Sequence, residues 1–293
     1  MNGPARRRQQ KAPSYILDTL GVTTYAAFSI RKVRGAYSGG CLRLRRSSDN
    51  AEADIGFGAD GWLDTDAVTT HLGGANGFIR TWYDQSGNGR DLVQTDGSTQ
   101  FSYLAATTDN GRPAIRETGE DYMSRAGMAT MDAFALATVF ERSALDGGTQ
   151  RRHFTFYKAA ENDYNGANSG ILMQTTGWGG TGDYLSATVE CGADDFSPSL
   201  GAFQTTGGED WYIASLGDGN GFLRANGSEV ATDTHTAWSG RAPDGFAVGS
   251  GYIGSLGNNH SGTVLDLQEL LLLDQISTAQ AQTIEADWAS FSA

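Results

Sequence analysis

Asp84-Gln-Ser-Gly-Asn-Gly-Arg-Asp91 is a run in which every residue is either polar or glycine. Asp and Asn side chains in such a turn accept hydrogen bonds from backbone amides two residues on, so Asp84 and Asp91 read first as turn staples; calcium ligation and sugar contact are the other chemistries their carboxylates offer. Sugar contact also calls for exposed aromatic faces. Trp178, inside Thr176-Gly-Trp-Gly-Gly-Thr181, and Tyr252 are loop aromatics suited to it, as is Trp238, whereas Trp211 opens an apolar strand and reads as core. The candidate carbohydrate contacts are therefore Trp178, Asp84 and Tyr252. Asp49 and Asp54, close to Arg43, Arg45 and Arg46, read as a surface ion-pair cluster. Asp194-Asp195, Asp218-Gly-Asn220 and Asn258-Asn-His260 are acidic turns open to calcium, though none has EF-hand spacing. His153 alternates with Phe154 and Phe156 and reads as a structural histidine. No Ser-His-Asp arrangement, phosphate loop or dinucleotide fingerprint is present. Retaining glycoside hydrolysis needs two carboxyl groups about 5–5.5 Å apart. Among 34 acidic residues the sequence singles out no such pair.

Charge is asymmetric along the chain. The net charge is −13 with a pI near 4.6, which disfavours nucleic acid as a partner, yet Arg6, Arg7, Arg8 and Lys11 stand in an N-terminal segment without an acid. Four cations on a segment too polar to order itself suit an acidic groove on a neighbouring subunit, which makes these residues the candidate docking contacts. Residues 1–22 are thus read as a basic arm and lead-in, and 23–293 as one domain. That length is reasonable for a β-sandwich, which reaches roughly 250 residues as a single unit. Forty glycines against five prolines indicate many tight turns. No apolar run approaches the ~20 residues of a membrane span, and the start shows no secretion-signal core, so neither membrane insertion nor signal-led export is expected; release by lysis would be an alternative route. Cys41 and Cys191 match no metal-ligand spacing. Cys41 reads as a buried thiol, with a disulfide to Cys191 left open.

Positioning such residues falls to strands. Alternation predicts strands at 24–33 and 41–46, the second with Leu42 and Leu44 on one face and Arg43 and Arg45 on the other. A helix is predicted over 64–72, stopped by Gly73-Gly74, followed by a strand at 78–83. Further strands are predicted at 133–141, 153–157, 171–174, 184–190, 211–216 and 246–249, separated by glycine-rich loops. Asn226-Gly227 between two short strands predicts a type I′ hairpin. Val264 to Leu273 reads as a strand buried on one face at its start and on both by its end. Ser277-Thr-Ala-Gln280 has capping-box spacing, and Ala281, Ile284, Trp288 and Phe291 share a helical face. The expected fold is all-β: a concanavalin-like jelly-roll sandwich of two antiparallel sheets with a short C-terminal helix.

The order of the last 70 residues resembles the end of laminin-G-like and concanavalin-like sandwiches. Tyr25-Ala-Ala-Phe-Ser-Ile-Arg-Lys-Val-Arg-Gly-Ala-Tyr37, then Leu42-Arg-Leu-Arg-Arg-Ser-Ser-Asp-Asn-Ala-Glu-Ala-Asp-Ile55, then Thr81-Trp-Tyr-Asp-Gln-Ser-Gly-Asn-Gly-Arg-Asp91 resemble the opening of arabinofuranosidase-B-type catalytic domains. The same block is similar to one found in bacteriophage structural proteins. The glycosidase resemblance implies an adjacent cysteine pair beside the sugar pocket, and here each cysteine stands alone. With neither that pair nor a carboxyl pair legible, the sequence reading is a non-catalytic bacteriophage virion surface protein: a capsid decoration, tail fibre or attachment module. Its expected partners are capsid or tail subunits, further copies of itself and a host-surface glycan, with no cofactor apart from calcium at an acidic turn. The alternatives are an α-L-arabinofuranosidase-like glycoside hydrolase and a free lectin.

Overall fold

A computed structural model describes residues 15–107, 110–118, 121–128, 130, 133–144, 151–158, 161, 170–176, 184–186, 189–191, 194–196, 209–217, 220–233, 242–249 and 264–290. Helix α1 (Ile16–Thr19) leads into β1 (Thr24–Ser29), β2 (Leu42–Arg46) and β3 (Glu52–Ile55). Helix α2 (Thr65–Leu72) precedes β4 (Gly77–Trp82), β5 (Leu92–Val93), β6 (Ser102–Leu104), β7 (Ala114–Glu117) and β8 (Met123–Ala126). The long β9 (Ala133–Ala144) and β10 (Arg151–Tyr157) follow, then β11 (Gly170–Thr176), β12 (Tyr184–Ser186), β13 (Val189–Cys191) and β14 (Asp194–Phe196). The chain continues with β15 (Glu209–Gly217), β16 (Asn220–Ala225), β17 (Ser228–Asp233), β18 (Gly245–Val248), β19 (Val264–Leu273) and α3 (Thr278–Ala289). Among the described residues no helix is long and apolar enough to cross a membrane.

The described ladders are antiparallel, and they form the two layers of a sandwich. One layer runs β17-β16-β15-β9-β19, and beyond β19 it is completed by β7 along the first half of that strand and β1 along the second. The other runs β3-β2-β4-β5-β8-β18-β10-β11, with β6 bridging β4 to β7 and so joining the layers. Phe28, Leu42, Trp82, Phe134, Phe140, Phe154, Phe156, Phe246 and Leu265 fill the space between them. Alternate residues of β9 and β19 face a second core. There Ala135, Ala137, Val139, Leu271 and Leu273 pack against Ile16 and Leu17 of α1 and Ile284 and Trp288 of α3. Both strands are apolar on both faces because each is covered on both.

The C-terminal elements follow their local chemistry. Asn226 and Gly227 both have positive φ, +46° and +79°, as a type I′ turn requires. The Ser277 hydroxyl accepts from the Gln280 amide while the Gln280 side chain accepts from the Ser277 amide, so α3 starts on a complete capping box. Ala281, Ile284 and Trp288 are buried as the helical spacing requires, and Phe291 lies outside the described residues. Helix α2 is capped by Asp64 and ends at Gly73 in the left-handed conformation. One difference concerns β19, where all but Val264 are buried. Asp266 and Gln268 are covered at the start of the strand because Arg116 binds Asp266 and Asn110 binds Gln268. Apolarity alone cannot announce a face closed by polar partners. Cys41 is a free thiol in the inner core, its Sγ 3.2 Å from the Ser29 carbonyl oxygen, so the disulfide with Cys191 is not formed. Burial pushes the Cys41 thiol well above its ordinary range.

Candidate functional site

The Asp84–Asp91 turn is a clamp on the free edge of β1. Among the described residues strand β1 pairs with β19 on one side only. On the other side the turn supplies what a neighbouring strand would. Asp84 Oδ1 accepts from the amides of Ala27 (2.9 Å) and Ser86 (2.8 Å), and Oδ2 from the Ser86 hydroxyl (2.7 Å) and the Arg90 amide (3.0 Å). The Gln85 side chain accepts from the Val33 amide and donates to the Ser29 and Arg31 carbonyls, and Asn88 donates to the carbonyls of Thr24 and Tyr25. With four donors on a buried carboxylate, Asp84 has the geometry of a turn staple rather than of a ligand. Among the described residues no group of three or more His, Cys, Asp or Glu is placed to hold a metal ion.

The arginine-rich face of β2 is the expected ion-pair cluster. Arg43 binds both oxygens of Asp54 and Arg46 both oxygens of Asp49. The Arg46 hydrogen bond draws Asp49 down to about 2, and the Arg43 hydrogen bond likewise lowers Asp54. Tyr83 donates to Asp54, and burial first, then that bond, pushes its hydroxyl up to about 12. Arg6, Arg7, Arg8, Lys11, Trp178, Trp238 and Tyr252 lie outside the described residues.

Buried charge concentrates instead at one end of the sandwich. Arg116 of β7, Asp266 of β19, Glu141 of β9 and Glu209 of β15 stand opposite one another in register, a single row across four strands. Asp266 and Glu141 are buried. Arg116 donates to both oxygens of Asp266 at 2.7 and 2.8 Å, and these bonds are the first cause holding its guanidinium above its ordinary range. Next in β7, Glu117 is wholly buried, with its Oε1 2.9 Å from Nδ1 of the equally buried His153 of β10. That contact ties the two layers together at this end. His153 is thus a buried, satisfied histidine, but its partner is an acid. Asp210, the second residue of β15, is buried and accepts from Asn226 at 2.9 Å.

Directly opposed residues on antiparallel strands hold their Cβ atoms about 4.5–5.5 Å apart, and like charges so placed destabilise the sheet. One such pair stands here with both side chains buried, Glu141 with Asp266. Sequence reasoning missed it because Glu141 and Asp266 come from strands distant in the chain. The one local sign was an acid interrupting an apolar strand, as Asp266 does in β19.

Residues 13–133 match the family model for alpha-L-arabinofuranosidase B, catalytic. Over 94% of its length the chain superposes on a GH54 α-L-arabinofuranosidase soaked with a cyclic sulfate inhibitor, with a TM-score of 0.72 and 18% identity. The chain has the fold of that catalytic domain. A mutant of the enzyme soaked with 4-nitrophenyl α-L-arabinofuranoside gives the same TM-score, and an arabinofuranosidase complexed with arabinofuranosyl-α-1,2-xylobiose gives 0.70 at 19% identity. The chain spans 64% of the length of each of these proteins. No curated protein sequence matches it. These matches overturn the reading as a non-catalytic virion surface protein, and the virion location falls with it, because the block shared with phage proteins lies inside the catalytic-domain match. That reading rested on the missing carboxyl pair, and acids juxtaposed by sheet register leave no spacing signal in the sequence.

Proposed function

We propose that the chain is a glycoside hydrolase domain of α-L-arabinofuranosidase type. The observation that carries this reading is a buried acid placed against a buried acid in register at the start of β19, Asp266 opposite Glu141. Both carboxyl groups are buried, and directly opposed residues of antiparallel strands hold their Cβ atoms about 4.5–5.5 Å apart, the separation at which two carboxyl groups can cooperate. Retaining glycosidases require that arrangement: one carboxylate attacks the anomeric carbon, the other protonates the departing oxygen and then activates water, and the two stand about 5–5.5 Å apart. The match of residues 13–133 to a catalytic-domain model supports the same class.

The test is release of nitrophenolate from 4-nitrophenyl α-L-arabinofuranoside by the purified chain. Turnover is expected, and Glu141→Gln should lower it by about 10²–10⁴-fold, the range of a positioned acid–base group, while the melting temperature holds. Absence of turnover on this and other aryl furanosides would sink the proposal. Full activity of Glu141→Gln would move the site away from this register.

A further inference from the structure

Away from the acidic rim, a cleft of about 500 Å³ opens between α2 and the β6–β7 hairpin. Its size falls within the roughly 300–1,000 Å³ of ligand clefts. Thr65, Thr69 and Leu72 of α2 line one side, and Tyr103, Arg112 and Pro113 the other. Arg112 is held in place. Its amide donates to Asn110 Oδ1 at 2.9 Å and its carbonyl accepts from the Thr107 amide at 2.8 Å. It lies between Gly111, at φ +67°, and a proline, which restricts its own backbone to extended conformations. The guanidinium stacks 4.2 Å from the Trp62 ring centroid. Among the described residues no acceptor takes a hydrogen bond from it and no carboxylate pairs with it.

An arginine fixed at backbone and ring, in a chain of net charge −13, is a cation kept from the many available acids. Its fork of donors matches a carboxylate. The remaining lining supplies what a sugar ring uses, an aromatic face at Tyr103, apolar surface at Leu72 and Pro113, and threonine hydroxyls. We infer that this cleft binds a carboxylate-bearing sugar, a uronic acid unit of an oligosaccharide. The inference extends the glycoside-hydrolase reading but is tested by binding, so either can fail alone.

The experiment titrates the full chain with a glucuronate-substituted xylo-oligosaccharide, its neutral counterpart, acetate and hexaglutamate, following heat of binding and the Trp62 indole N–H resonance. The acidic oligosaccharide should bind and shift that resonance, and the neutral one should bind at least tenfold more weakly. Arg112→Ala and Arg112→Lys should each weaken the acidic ligand at least tenfold, with melting and aryl-arabinofuranoside turnover unchanged. The inference is overturned if the wild-type chain does not bind the acidic oligosaccharide, if both Arg112 variants bind it as well as wild type, or if acetate or hexaglutamate binds as tightly.

Discussion

Asp84 shows how one side chain can replace a strand. Its four accepted hydrogen bonds include three from backbone amides, of Ala27, Ser86 and Arg90, all near the unpaired edge of β1. Leaving buried donors without partners costs about 1–3 kcal/mol each, so Asp84→Ala should destabilise the domain by about 3 kcal/mol or more in urea unfolding. Asp84→Asn should fall between, because its amide nitrogen presents donors to donors. A loss under 1 kcal/mol for Asp84→Ala would mean that water substitutes freely at this edge. At Asp49 the expected effect is on pH. The Arg46 hydrogen bond, and then that from the Ala51 amide, lower its carboxyl from an ordinary 3.8 to about 2. A lowered acid favours the folded chain above its unfolded value and loses that contribution as pH falls through the folded one, so the window runs from about 4 down to about 2. Carboxyl NMR titration should place Asp49 near the lower figure, and Arg46→Gln should return it towards the ordinary value.

Among the elements, legibility followed the range of the forces involved. The β16–β17 hairpin and α3 were readable to within a few residues, because positive φ at Asn226-Gly227 and the Ser277–Gln280 box are decided by neighbours in the chain. Strands β3, β5, β6, β7 and β8 were not. They run two to four residues, and β6 is only half-buried throughout, so no alternation develops and pairing partners alone define them. The predicted strand over 184–190 is in fact two, β12 and β13, which pair with different stretches of β11. Helix α3 provides the test of the packing. Trp288 is fully buried, stands 6.2 Å from Trp211 and donates its indole N–H to Glu269 at 2.8 Å. Trp288→Ala should cost about 3–5 kcal/mol as a large core truncation, against about 1 kcal/mol for Ser277→Ala at the cap. Equal losses on chemical denaturation would show that α3 is held by its start rather than by its face.

On the scale of the whole molecule, the two ends of the layer built on β9 and β19 are stabilised by opposite means. Where α1 and α3 cover it, apolar packing dominates and the buried acids are paired, Glu269 with Arg31, Ser29 and Trp288 and Glu285 with Arg224. At the other end Glu117, Glu141, Asp210, Asp266, Arg152 and His153 are all buried within a few strand positions of one another. Buried ion pairs seldom surpass well-packed apolar residues of like volume, while removing one partner alone typically costs 3–5 kcal/mol. Glu117 and His153 let this be measured. Glu117→Leu and His153→Leu singly should each destabilise by about 3 kcal/mol or more, and the double substitution should recover most of the loss, since it removes both desolvated groups together. If the rim exists for chemistry, the double variant should melt near wild type yet hydrolyse aryl arabinofuranoside at least tenfold more slowly, as expected where function retains what stability would discard. A double variant with recovered melting and full activity would make this pair a structural tie between the layers, and the search for the acting carboxyls would narrow to the Glu141–Asp266 register.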